Sequence, residues 1–420
     1  MSTDLRAKLR RLGVHKGVPP FRPPRPAGGI EGELTGHAID TPRGPAFVHE
    51  ETYTVDHPHG AHMLGDALRV SFDAVAPLLR DEALAGLDLS RAVFLDTETT
   101  GLSGGTGTLV FLVGVGAFSD QHSAFSLRQF FLRSPSEEAA MLHALAEHLD
   151  SFDAVVSFNG RGFDMPLLDA RFRLARMRPR ILRVPHLDLL PPARRMWRGR
   201  LESCALSALE RDVLGVWRDQ ADVPGELIPG LYLNYIQTGD ASEMPRVMYH
   251  NAIDILSMVT LSARLMTLLT PSLAPSREAG GMKGEAANAG DLLAIGKWRD
   301  QLGQIEEAEA ALRDCLNADP DPATRSAALH RLGHLLKRLD RRAEAVPLWE
   351  VLSESKTVEG VEACVELAKY HEWHAVDLDR AIVFTRKAII HARRVTPDYL
   401  RDQLEADLAH RLTRLTRKRA

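Results

Sequence analysis

The stretch Ala92-Val93-Phe94-Leu95-Asp96-Thr97-Glu98-Thr99-Thr100-Gly101-Leu102 constrains this chain more than any other. Its first half has the composition of a buried strand, and it runs into two carboxylates set two residues apart. Side chains alternate along a strand, so Asp96 and Glu98 share one face. Carboxylates placed side by side repel, and burying them is costly unless a cation joins them. Hard oxygen donors favour Mg²⁺ or Mn²⁺. A phosphatase of the haloacid type would need aspartate at the second position, where this chain has Glu98.

The surroundings read as α/β. Ala92–Asp96, Leu109–Phe118 and Phe125–Leu132 are three consecutive strands punctuated by Gly and Ser. Ser134-Pro135-Ser136-Glu137 reads as a capping box with proline at the first helical position, opening a helix to about Leu149. A fourth strand, Ala154–Phe158, precedes a helix over Met165–Met177, and a long helix spans about Pro245 to Leu269. Three strands followed by helix–strand–helix alternation predict a mixed sheet covered by helices.

With 420 residues the chain is long enough for two to three domains, and its 45% hydrophobic and 26% charged residues exclude wholesale disorder. Three widely separated cysteines, Cys204, Cys315 and Cys364, offer neither a disulfide framework nor a zinc knuckle. That usage suits a cytoplasmic location. The longest apolar run, Thr108–Phe118, is about half a bilayer crossing, and no membrane association is expected.

The net charge of −4 conceals three basic blocks. Residues 1–26 carry seven Lys/Arg against Asp4, residues 171–200 carry ten arginines against Asp188, and the last ten residues include Arg411, Arg414, Arg417, Lys418 and Arg419. Each is either a footprint for a polyanion or a solvated helix face. No lysine occurs between Lys16 and Lys283, so Arg194 and Arg195, beside Trp197, are candidate contacts with a single strand of nucleic acid.

Two further acids complete the pattern. Asp164 follows a strand, with Asn159 five residues before it, and Asp254 lies early in the long helix in Tyr249-His250-Asn251-Ala252-Ile253-Asp254. Singly, Asp164 could be a helix cap and Asp254 a surface residue. In combination, strand–DxE, strand–N-x₄-D and an acid-bearing helix resemble the DEDD superfamily of 3′–5′ exonucleases, most closely the YprB-like branch of ribonuclease H-like proteins. The resemblance covers about residues 90–270, with the supporting strings His186-Leu187-Asp188-Leu189-Leu190, Arg200-Leu201-Glu202-Ser203-Cys204 and Ile228-Pro229-Gly230-Leu231-Tyr232.

The resemblance implies a ribonuclease H-like fold and a pair of Mg²⁺ or Mn²⁺ ions held by Asp96, Glu98, Asp164 and Asp254. It also implies that Thr99, Leu102 and Asn159 contact the terminal nucleotide. The base departs from the family pattern, in which Tyr stands four residues before the final Asp in one type and His five before it in the other. Here His250 is four before Asp254 and Tyr249 is five before. On a regular helix four steps return to within about 40° of the starting face, whereas five land about 140° away. His250 is therefore expected at the carboxylates as general base and Tyr249 is not.

Beyond the sheet the chain is helical and repetitive. Gly296, Ala308, Leu312 and Cys315 recur as Gly333, Ala345, Trp349 and Leu352, and the alanines 308, 345 and 381 are 37 and 36 residues apart. This approximates the tetratricopeptide period of about 34, although an ordinary helical bundle would also fit. The expected organisation is a basic Pro-rich arm over 1–45, a lead-in over 46–90, a ribonuclease H-like domain over 91–270, a linker over 271–290 and a tetratricopeptide-like all-α domain over 291–420. The function expected is a metal-dependent 3′–5′ exonuclease acting on single-stranded nucleic acid, with a protein partner for the repeats. A catalytically silent nucleic-acid-binding module and a repeat-based adaptor are the alternatives.

Overall fold

The computed structural model describes residues 33–70, 76–101, 107–119, 121–219, 221–270, 287–395 and 398–420. They divide into two compact units, one comprising residues up to His57, Leu89–Asp188 and Trp217–Val259, the other Pro58–Asp88, Leu189–Val216 and Thr260–Ala420.

The first unit is built on a seven-stranded mixed sheet of β1 (His37–Thr41), β2 (Gly44–Thr54), β5 (Ala92–Thr99), β6 (Val110–Phe118), β7 (Ala124–Phe131), β8 (Ala154–Ser157) and β9 (His186–Asp188). A two-residue hairpin, β3 (Pro58–His59) with β4 (His62–Met63), belongs to the second unit. The sheet order is β1-β2-β7-β6-β5-β8-β9, antiparallel from β1 to β5 and parallel from β5 to β9. β6 is buried at every position, as its unbroken apolar run requires of a central strand.

Helices α1 (Glu138–Leu149) and α2 (Asp164–Leu174) supply Met141, Leu145, Leu168 and Phe172 to the core beside Val93, Leu95, Phe111 and Val113. α4 (Ile228–Thr238) opens on Pro229 and buries Tyr232. The Tyr232 ring stacks on Phe111 with centroids 3.9 Å apart, and its hydroxyl donates to Leu132 O at 2.8 Å. α5 (Met244–Leu269) is long and apolar enough to cross a bilayer by length and composition, but 83% of its apolar window is buried within the protein. The division between the units falls inside it, after Val259.

The second unit contains α3 (Leu190–Trp197) and the all-helical C-terminal region of α6 (Ala289–Gln301), α7 (Ile305–Asn317), α8 (Pro322–Arg338), α9 (Arg342–Leu352), α10 (Val358–Trp373), α11 (Leu378–Val395) and α12 (Asp398–Arg419). Side chains of Asn288, Asp321 and Thr357 cap α6, α8 and α10 by accepting from backbone N–H groups. A Cβ on Gly333 would lie 3.0 Å from Trp349 Cδ1, and one on Gly296 would lie 2.8 Å from Leu312 Cγ. These two glycines let α8 approach α9 and α6 approach α7.

Several boundaries differ from the sequence reading. β1 and the start of β2 fall in the expected arm, where residues 37–41 pair with 44–48 in the sheet. Their short alternation was masked by the preceding prolines and glycines. The expected lead-in also divides, with residues 46–57 in the sheet unit and 58–88 in the other. The expected arm's residues 1–32 and the linker's 271–286 lie outside the described residues, and the linker's last two positions already belong to α6. At Ser134 the capping box is incomplete. Ser134 caps a 3₁₀ turn by accepting from Ser136 N, while Glu137 pairs with Arg133 at 2.8 Å.

Candidate active site

β5 places Asp96 and Glu98 on one face, both partly accessible, with Thr97 buried between them. A bulge at Glu98/Thr99 ends the regular pairing with β6. Asn251, fully buried on α5, donates from Nδ2 to Asp96 Oδ2 at 2.8 Å and accepts from Gln129 Nε2 at 2.8 Å. α5 comes this close because β6 carries glycine opposite it. A Cβ on Gly114 would lie 2.8 Å from Asn251 Cγ, so any other residue would displace the side chain that orients Asp96.

The four sequence-selected carboxylates are electrostatically one cluster. Burial pushes Asp96 well above the usual carboxylate range, with the charges of Asp254, Asp164 and Glu98 adding to it. Burial likewise raises Glu98, reinforced by Asp254 and Asp164 and opposed by Arg218. Asp164 is pushed up to about 6, chiefly by burial, against a stabilising hydrogen bond from Thr97. It is a buried first residue of α2, not the cap, and Asp254 is likewise no surface residue. Such a group of acids favours uptake of positive charge, as protons or as a metal cation. The all-oxygen donor set fits the hard cations expected from the sequence.

His250 joins this cluster. One ligand atom each from Glu98, His250 and Asp254 lies within 4.8 Å of the others. His250 Nε2 is 3.7 Å from Asp254 Oδ2, one turn along α5. Tyr249 points elsewhere, its hydroxyl accepting from Asp219 N at 3.4 Å. Helical geometry thus distributes the exchanged pair as the spacing predicted.

Besides Asn251, two residues around His250 escaped the sequence reading. Asp222 Oδ1 is 2.8 Å from His250 Nδ1, and Arg218 forms an ion pair with Asp254 while its Nη1 sits 3.0 Å from the same Nδ1. A carboxylate only accepts and a guanidinium only donates, so a proton on Nδ1 selects Asp222 and a bare Nδ1 selects Arg218. Neither residue lies in a recognisable motif. Their signal in the sequence was no more than an Arg and an Asp at i, i+4 in a loop.

The softer candidates are placed less centrally. Thr99 is buried with its hydroxyl donating to Gly101 O at 3.0 Å. Leu102 lies outside the described residues. Asn159 adopts a left-handed conformation at φ 67°, and its N–H donates to Asp188 Oδ1 at 2.8 Å. Asp188 also accepts from Arg161 N at 3.1 Å, which ties the loop before Asp164 to β9.

Arg194 and Arg195 do not belong to the carboxylate unit. They lie on α3 in the second unit, where Arg195 covers the Trp298 ring at 4.9 Å and donates to Gln301. The supporting Arg200 pairs with buried Asp291 at 3.4 Å, which also accepts from Trp197 Nε1 at 3.0 Å. Four of the five basic C-terminal residues make ion pairs within their own unit. Arg411, Arg414 and Lys418 converge on buried Glu372, and Arg419 pairs with Asp379 at 2.9 Å.

Residues 93–266 match a family model described as the RNase_H superfamily, and the seven-stranded mixed sheet with its helices fits a ribonuclease H-like fold. The uncharacterized protein YprB of Bacillus subtilis (strain 168) is 29% identical over 385 residues, which cover 89% of this chain and 86% of that one. A solved family B DNA polymerase from the hyperthermophilic archaeon Pyrobaculum calidifontis shares 14% identity at a TM-score of 0.33, over 50% of this chain and 29% of that chain.

Proposed function

We propose that this chain is a two-metal nuclease that hydrolyses phosphodiester bonds of single-stranded nucleic acid from a 3′ end. The observation that carries the reading is the convergence of Asp96, Glu98 and Asp164, whose proton affinities are raised, with the charge of Asp254, an arrangement that a cation would relieve. These four residues would hold two Mg²⁺ or Mn²⁺ ions. When bound, such a pair supplies Lewis-acid stabilisation of the phosphate charge and makes a water acidic enough to attack.

The chain's own residues do the rest. Asn251 holds the Asp96 carboxylate in one orientation. With its proton on Nδ1 and shared with Asp222, His250 presents a bare Nε2 beside Asp254, ready to take a proton from the attacking water. Asp222 then stabilises the imidazolium that results. Thr99, Leu102 and Asn159 remain the proposed contacts with the terminal nucleotide. Arg194, which forms no ion pair among the described residues, is a proposed phosphate contact of the second unit. We read the paired helices of that unit as tetratricopeptide-like, with a protein as their partner, and the whole as a cytoplasmic protein.

Arg218 favours a second reading. Its ion pair with Asp254 puts a protein cation where a metal would otherwise be needed, as suits a module that binds nucleic acid without cutting it. Incubation of the purified chain with end-labelled single-stranded DNA and RNA separates the two. The nuclease shortens one of them from the 3′ end with Mn²⁺ and leaves both intact with chelator. Binding without any Mn²⁺-dependent shortening sinks the nuclease reading and supports the second.

A further inference from the structure

The second unit carries a different donor set, unrelated to the proposed nuclease site. His330 and His334 are one turn apart on α8, so both project from one face. Glu362 on α10 meets them, its Oε2 lying 2.6 Å from His330 Nε2 and 4.0 Å from His334 Nε2. The imidazole centroids are 4.5 Å apart at an interplanar angle of 63°. One ligand atom from each of the three residues lies within 4.8 Å of the others.

We propose that His330, His334 and Glu362 form a binding site for a divalent transition-metal cation of the Zn²⁺ class. Two imidazoles and a carboxylate are a donor set that suits Zn²⁺, which accepts three protein ligands and leaves a further position to water. The two nitrogens disfavour Mg²⁺, which demands oxygen. All three side chains are partly exposed and border a cleft of about 340 Å³, so an ion has an entry path. The charges around that cleft balance, with Lys297 and Arg331 facing Glu359 and Glu362. The ion would replace the His330–Glu362 hydrogen bond by a link between α8 and α10, which belong to successive helix pairs.

The test uses the full chain carrying Asp96→Asn and Asp254→Asn, with excess Mg²⁺, so that the carboxylate cluster does not compete for the probe. Titration with ZnCl₂ by calorimetry should show one site per chain. Adding His330→Ala or His334→Ala should weaken it by at least the 10–100-fold that loss of even an outer partner of a metal ligand costs. Far-UV circular dichroism checks that the variants fold, as partly exposed positions should allow. In the same Asp96→Asn, Asp254→Asn chain Zn²⁺ should raise the melting temperature, and adding His330→Ala with His334→Ala should remove that rise. Zn²⁺ affinity unchanged in the double histidine variant, or no Zn²⁺ binding once the carboxylates are neutralised, overturns the assignment.

Discussion

His250 Nδ1 lies 2.8 Å from Asp222 Oδ1, across 28 residues of sequence. The contact fixes which imidazole nitrogen is free to face Asp254. If His250 is the base, His250→Ala should lose on the order of 10²–10⁴ in rate. Asp222→Asn should fall between that variant and the parent, because the amide cannot stabilise the imidazolium. Tyr249→Phe should be nearly silent, its hydroxyl being engaged by Asp219 N. Single-turnover rates on a labelled strand check all three. A silent His250→Ala beside a crippled Tyr249→Phe would reverse the assignment.

Asp96→Asn removes a charged donor while keeping the hydrogen bond from Asn251. Hydrolysis should fall by at least about 10³-fold, since the charge stabilisation supplied by a bound cation is worth several kcal/mol. Melting should show a folded chain. Undiminished Mn²⁺-dependent turnover in this variant would remove the site from the carboxylate cluster.

Gly114→Ala tests how Asp96 is held, with no acid altered. The added methyl collides with the Asn251 side chain. The expected cost is about 1–3 kcal/mol of stability, as for an overpacked core, together with a loss of turnover. Urea unfolding and the cleavage assay are measured on the same sample. Full activity in Gly114→Ala would mean that Asn251 does not position the carboxylate.

Arg218 offsets the acids in the metal-free state. Truncation by Arg218→Ala leaves Asp254 without its ion pair and should cost about 1–3 kcal/mol. Added Mg²⁺ should recover much of this, because the cation takes over the guanidinium's electrostatic task. Denaturant unfolding with and without Mg²⁺ reads the difference, and an Mg²⁺ effect no larger than the parent's would contradict competition between Arg218 and metal.

The pH dependence of stability has a definite sign. Asp164 is held at about 6 in the fold, against about 3.9 in an unfolded chain. Between those values the folded state binds the extra proton, so stability is highest below about 4 and is lost as pH rises through about 6. Asp96 and Glu98 are raised in the same direction. In chelator, the melting temperature should therefore fall more steeply between pH 5 and 7 (flanking that value of about 6) in the parent than in Asp164→Asn. Parallel curves would show that Asp164 is not shifted.

The sequence by itself determined the type of scaffold and which acids share a face or a helix turn. A strand must alternate, so Asp96 and Glu98 had to share a face. A helix must repeat near four residues, so His250 and Asp254 had to stack while Tyr249 turned away. Both are local rules, satisfied within a few residues, and the unbroken apolar run of β6 marked a central strand in the same way. What only the tertiary structure decided depends on residues distant in the chain. Arg218 and Asp222 reach the site from a loop with no motif of its own. Gly114 admits Asn251 across the sheet, and Arg194 and Arg195 fall in the other unit. The basic C-terminal residues, which resemble a polyanion footprint when counted, find Glu372 and Asp379 once α12 packs against its neighbours. Charge can be counted along a sequence, but its neutralisation depends on which side chains folding brings within a few ångströms, and no local periodicity encodes that.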